Sequence, residues 1–224
     1  MSDAPTQRSG LWGRTPASRR RREAILKAGK TMFFRSGYQL ASVEEIAAAA
    51  GTTKRTVYDH FGSKEKLFSE VMVYASRQFV DLLPAPATLP ESPADGLRAF
   101  AARLSQCFDM PEIVRFQRLV IAEAERRPEL ARSLADMALA GAERTLVAYL
   151  EACVAAGRLR RHDLEASARM ILDLAANSAR LRGLFGLGAG SADSVGKRAL
   201  DQAIELLTER WAPSGAESAG RMHN

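Results

Sequence analysis

Apolar residues recur along this chain at the spacing of helices. Ile25, Ala28, Gly29 and Met32, with Phe33 beside them, mark the inner stripe of a first helix from Ser18 to Ser36. Gly37 is placed to stop it, and Tyr38 to fold back on it as a staple. Val43, Ile46, Ala47 and Ala50 fall at i, i+3, i+4 and i+7 of a second helix, and Val57 and Phe61 lie four apart on a third. A fourth, from Lys64 to Leu83, turns Leu67, Phe68, Val71, Tyr74 and Ala75 inward. Pro84, Pro86, Pro90 and Pro93 then break any helix. From Ala94 onward no run alternates as a strand would. Leu97, Phe100, Ala101, Leu104 and Phe108 form one stripe, and Pro111 opens another through Ile113, Phe116, Gln117 and Val120. Long helices are expected from Pro128 to Ala156, ended by Gly157, and over 164–187 and 195–211. The pattern predicts an all-α chain.

The second and third helices carry local chemistry. Ser42 can cap the second, with Glu45 three residues on to complete a capping box. Gly51 permits a sharp stop, and Thr53 can cap the third helix. Small residues from Ala47 to Gly51 let the two approach across a tight turn. With Val57 and Phe61 inward, Thr53, Lys54, Arg55, Thr56, Tyr58 and His60 face outward, so this is a helix-turn-helix pattern. Lys54 and Arg55 occupy the first turn of one helix; Lys64 and Lys66, behind Ser63, occupy the first turn of the next. Cations there oppose the helix dipole at a cost of about 0.3–1 kcal/mol each. A solvated charge face would explain either pair alone. Both together, flanking this motif, point to an external anion, held as a phosphate is held by amides and lysines.

Ile46-Ala47, Ala50-Gly51, Thr53, Thr56, the run Tyr58-Asp59-His60-Phe61 and Ser63-Lys64-Glu65 resemble the DNA-binding signature of the TetR/AcrR family of bacterial repressors, over 22–74. The resemblance implies that Thr53, Lys54, Arg55 and Thr56 enter the major groove. It implies that Ser42, Tyr58, His60 and Lys64 hold the phosphates on either side. Arg55 departs from the pattern, since many members have glycine there; its cation reaches either a base or another phosphate.

Charge is distributed to match. Residues 1–66 carry a net +7 and the remaining residues −1, within a total of +6. The whole positive excess is N-terminal, the footprint of a polyanion partner on one part of the molecule. Residues 1–17 lack periodicity and are expected to be a disordered arm, in which Arg14, continued by Arg19 to Arg22, either tracks DNA or is a solvated tail. Cys107 and Cys153 lie far apart in apolar runs, a spacing that suits core thiols better than a sensor disulfide. No apolar run reaches membrane-spanning length and the N-terminus has no hydrophobic leader, so a cytoplasmic protein is expected.

Enzymatic signatures are missing: no Gly-x-Ser-x-Gly elbow, His-Glu-x-x-His, Walker loop or dinucleotide fingerprint occurs. Ser194 to Lys197 matches Ser-x-x-Lys without a partner motif, and the glycine-rich run 183–190 lacks the Gly-Lys-Ser/Thr ending of a phosphate loop. His60, His162 and His223 share no metal-ligand spacing, so neither metal nor cofactor is expected. Arg118 to Leu130 resembles the C-terminal domain of AefR-like members of the same family. By that resemblance the larger half binds a small effector and forms a homodimer through helices 164–187 and 195–211. Ile171, Leu174, Ala175, Leu181, Ile204, Leu207 and Trp211 are apolar surface for that interface or core of the monomer. Phe100, Leu104, Phe108, Phe116, Val120, Met137, Tyr149 and Met170 either line an effector pocket or pack as core; Glu123 and Asn177 are polar residues able to orient a ligand.

The expected organisation is an arm at 1–17, a DNA-binding domain at 18–66, an effector-binding and dimerisation domain at 67–211 and a tail at 212–224. The expected function is a DNA-binding repressor released from a near-palindromic operator by a small molecule. The alternative is an architectural DNA-binding protein that senses nothing.

Overall fold

The computed structural model describes residues 15–186 and 194–213, and all regular structure among them is helical. Helices α1 (Pro16–Leu40), α2 (Val43–Ala49), α3 (Lys54–Phe61) and α4 (Lys64–Asp81) are followed by a single 3-10 turn at Pro86–Thr88. Then come α5 (Pro93–Asp109), α6 (Pro111–Glu123), α7 (Pro128–Ala155), α8 (Leu164–Phe185) and α9 (Ser194–Arg210). The chain forms two compact units that part between Ala75 and Ser76, so α4 contributes residues to both.

In the first unit, α1 starts earlier than its apolar stripe suggests. Pro16 occupies its first turn and the Thr15 hydroxyl accepts from Ser18 N–H at 3.2 Å. Arg19 to Arg22 therefore lie on the opening turns of this helix, not in an extended arm; Arg14 falls outside the described residues. Gly37 has a φ of 73°, but the chain resumes helical hydrogen bonding to Leu40, so the expected stop is a kink. The kink turns Tyr38 back into the core. Its ring stacks on Phe33 at 6.3 Å, and Phe68 of α4 meets Phe33 at 5.1 Å and Tyr38 at 5.0 Å edge-on. Ile25, Ile46, Val57 and Leu67 close this core, each side chain contributing about 1.5–3 kcal/mol by burial.

In the second unit, Leu97, Phe100 and Leu104 of α5, Leu146 and Leu150 of α7, Ile171 of α8 and Ile204 of α9 share one buried cluster. Cys107 and Cys153 are free and buried in it, and burial pushes the Cys107 thiol above its usual pKa. Ile171, Ala175, Ile204 and Leu207 are also buried within this unit, whereas Met170, Leu181, Phe185 and Leu206 leave apolar surface exposed on α8 and α9. The end of α9 is clasped by polar bonds that periodicity did not suggest. Arg160 donates its guanidinium to the carbonyls of Arg210 (2.7 Å) and Ala212 (2.8 Å), and His162 stacks on Trp211 at 4.6 Å. On α7, a Cβ placed on Gly141 would sit 2.6 Å from Cγ2 of Val80. The two helices meet there with room for hydrogen alone.

Candidate functional site

The first candidate site is the edge of α2 and α3. The Ser42 hydroxyl accepts from Glu45 N–H at 3.4 Å. This is one arm of the predicted capping box; the Glu45 carboxylate lies 3.8 Å from Arg35. The Gly51 φ of 64° turns the chain, and Thr53 caps α3 by accepting from Thr56 N–H at 3.2 Å, its hydroxyl 3.0 Å from that of Thr56. Because Val57 and Phe61 are buried, Thr53, Lys54, Arg55 and Tyr58 are exposed on the opposite edge, with Thr56 and His60 half-buried beside them. The motif thus presents hydroxyls, cations and a phenol along one rigid eight-residue helix.

Electrostatics modify this edge. The Lys54 ammonium is bonded to the Glu44 carboxylate across the turn, a partner that sequence reasoning missed. The bond to Lys54, Glu44's own amide and the Ser42 hydroxyl together lower the Glu44 pKa to about 2, and Lys54 is raised in response. Both groups are at the surface, so added salt screens the pair. Alternation could have revealed it, since 44 and 54 both face out from adjacent short helices.

Lys64 donates to the Gln39 carbonyl at 3.1 Å and sits 4.9 Å over the Tyr38 ring, while Ser63 caps α4 by accepting from Lys66 N–H at 3.2 Å. The same turn is fastened by a bond from the Tyr38 hydroxyl to Glu65. His60 is pushed below its usual pKa by burial first and then by Arg21 and Arg22, so it is neutral at pH 7. Arg22 is held by Glu70 at 2.9 Å and lies 5.2 Å over the Phe61 ring, which binds it to the fold.

The second candidate site is a cavity of about 420 Å³ within the second unit. Phe79, Leu104, Ile113, Phe116, Leu134, Ala142 and Leu172 give it a buried apolar wall, continued by the half-buried Phe108. The rest of its lining is half-buried or exposed and consists of Gln117, Val120, Ile121, Ala135, Asp173, Ala176, Asn177 and Arg180. Of the residues anticipated for a pocket, Leu104, Phe108, Phe116, Val120 and Asn177 border this cavity. Phe100 lies in the shared core, and Tyr149 is buried with its hydroxyl donating toward the Pro90 (2.8 Å) and Ser92 (3.0 Å) carbonyls. Met170 is 41% exposed, Met137 is half-buried away from the lining, and Glu123 is buried against Arg127. Periodicity missed Phe79, Asp173 and Arg180. Phe79 was hidden because α4 read only as a connector, and the two charges because charge on a helix is ordinarily a solvated face. Arg180 Nε donates to Gln117 Oε1 at 3.1 Å, joining α8 to α6 at the rim.

Among the described residues no cluster of His, Cys, Asp or Glu could hold a metal, and no helix is long and apolar enough to cross a membrane. Residues 25–71 match the model of bacterial regulatory proteins of the tetR family, and residues 95–213 match the C-terminal domain of AefR-like transcriptional repressors. This chain belongs to the TetR family. Members are DNA-binding transcriptional regulators and not enzymes, which accounts for a chain without catalytic motifs. The repressor NicS of Pseudomonas putida is 38% identical over 73 residues, covering 32% of this chain and 34% of NicS. The repressor KstR2 of Mycolicibacterium smegmatis is 40% identical over 68 residues, 30% of each chain. The chain thus spans about a third of the length of the curated relatives it matches. Likeness to solved structures runs further. A TetR-family regulator from Mesorhizobium loti superposes with a TM-score of 0.75 at 26% identity, covering 88% of this chain and 99% of that one. The flavonoid-responsive regulator FrrA does so with 0.68 at 27% identity, covering 87% and 98%.

Proposed function

We propose that this TetR-family member is a repressor that binds a near-palindromic operator as a homodimer and is released by a small molecule in the 420 Å³ cavity. In this reading, residues 18–66 form the reading head and 67–211 the sensing and dimerisation domain, with α4 as far as Ala75 packed in the compact unit of the head. Thr53, Lys54, Arg55 and Thr56 meet base edges, while Ser42, Tyr58, His60 and Lys64 grip phosphates. Exposed Met170, Leu181, Phe185 and Leu206 supply the apolar contact between copies through α8 and α9. A symmetric pair of heads reads half-sites about one DNA turn apart, roughly 34–36 Å. The observation that carries the sensing half is the cavity, because one of its walls is Phe79 of α4, the helix that begins immediately after the reading helix. A ligand pressing on Phe79 shifts α4 and with it the population of DNA-competent dimers. The likeness to FrrA, a flavonoid-responsive regulator, supports a small-molecule signal.

The test is a fluorescence-anisotropy titration of the full chain on the duplex upstream of its own gene, with and without candidate metabolites. We expect preference for that duplex over bulk competitor at moderate salt, and weaker binding when the cavity is filled. Equal affinity for every duplex removes the operator; a cavity ligand that leaves affinity unchanged removes the release mechanism.

A further inference from the structure

The rim of the cavity has a specific chemistry, and from it the class of ligand can be argued, given the reading of the cavity as an effector site. Asp173, Asn177 and Arg180 lie at i, i+4 and i+7 on α8, so they form one stripe about 10 Å long at 1.5 Å per residue. One end of the stripe is a carboxylate and the other a guanidinium, with an amide between that both donates and accepts. Their charges cancel. Arg180 Nε donates to Gln117 Oε1 at 3.1 Å, which holds the Gln117 amide beside it. Apart from these residues and Gln117 the lining is hydrocarbon, which offers an ionised group no partner and penalises its desolvation.

We infer that the cavity takes a neutral ring compound with oxygen functions at its two ends, a hydroxyl donating to Asp173 at one and a hydroxyl or carbonyl accepting from Arg180 at the other. A carboxylate at the Asp173 end meets a like charge, as does an ammonium at the Arg180 end. A zwitterion, or a monocarboxylate seated the other way round, matches the ends but carries ionised groups against hydrocarbon lining, a desolvation that a neutral donor–acceptor pair avoids. The phenylalanine rings of the wall then take the body of the ligand by face and edge contacts, as Phe79 and Phe108 take each other at 5.7 Å.

Three probes of one shape isolate the argument: biphenyl, biphenyl-4,4′-diol and biphenyl-4,4′-dicarboxylate, titrated calorimetrically into the full chain. The diol should bind about tenfold more tightly than either of the others, the difference two modest hydrogen bonds make. Asp173→Asn makes the stripe net positive and should reverse the order of diol and dicarboxylate, an inversion that a merely structural role for Asp173 does not produce. Ala135→Trp, at an exposed position on the rim, should block all three without disturbing the core. If the dicarboxylate binds wild-type protein most tightly, or if Asp173→Asn leaves the order unchanged, the neutral-ligand assignment is overturned while the effector reading stands. If no probe binds, or if Ala135→Trp leaves binding intact, the cavity is not the ligand site and both readings fall.

Discussion

The two units solve different problems with the same secondary structure. In the first, helices of seven and eight residues are set by hydroxyl caps and a glycine turn at fixed points of the chain, and rings close-pack beneath them. In the second, helices of up to 28 residues cross one another over a core that leaves 420 Å³ unfilled. A helix too short to be stable alone takes its position from caps and immediate neighbours, and it presents side chains in a constant geometry. A bundle of long helices takes its form from side chains distant in sequence, and it can retain a hollow. Rigidity suits the reading of a duplex, and a hollow suits a ligand.

The largest expected effect tests how tightly the first unit is packed. Phe68→Ala removes the ring that meets both Phe33 and Tyr38, and should cost about 3–5 kcal/mol in urea unfolding of the full chain. Leu104→Ala, on the wall of an existing void, should cost about 2 kcal/mol, at the low end for such truncations. Equal losses would mean that the two cores are packed alike. Arg55→Ala should change the ratio of specific to non-specific affinity by at least about 1 kcal/mol if the cation reads a base; a uniform loss on all duplexes would assign it to phosphate.

Smaller still, Glu44→Gln frees Lys54 from its internal partner, so affinity for the operator should rise by more than affinity for bulk duplex. An unchanged ratio of the two would mean that Lys54 reads no base. The smallest effect is the pH dependence from His60. Its folded pKa lies below 6.5, so as pH falls through 6.5 the unfolded chain takes up the proton first. Stability from this group is full above that point and declines below it, until the folded pKa is reached. Wild type compared with His60→Gln at pH 5 and pH 8 should show the difference only in the acidic measurement.

The same contrast decides what could be read from the chain. Ser42, Gly51, Thr53 and Ser63 act within four residues of themselves, so their caps and turn were legible as a pattern and the structure has them where expected. The all-helical class was legible from periodicity for the same reason. The Glu44–Lys54 pair spans ten positions, and the stripe from Asp173 to Arg180 acquires meaning only when Gln117 of α6 meets it. Tyr149 read as a ligand contact because it is large and sits on an apolar face. Its hydroxyl in fact serves the carbonyls of Pro90 and Ser92, a tie between distant segments that no local spacing encodes.

Gly141 gives the second unit a point of unusual mechanical sensitivity. Val80 is branched at Cβ and has few rotamers into which it could retreat, so one added methyl at 141 must displace α4 or α7. Inherited variation there would act as a permanent wedge at the crossing of α4 and α7.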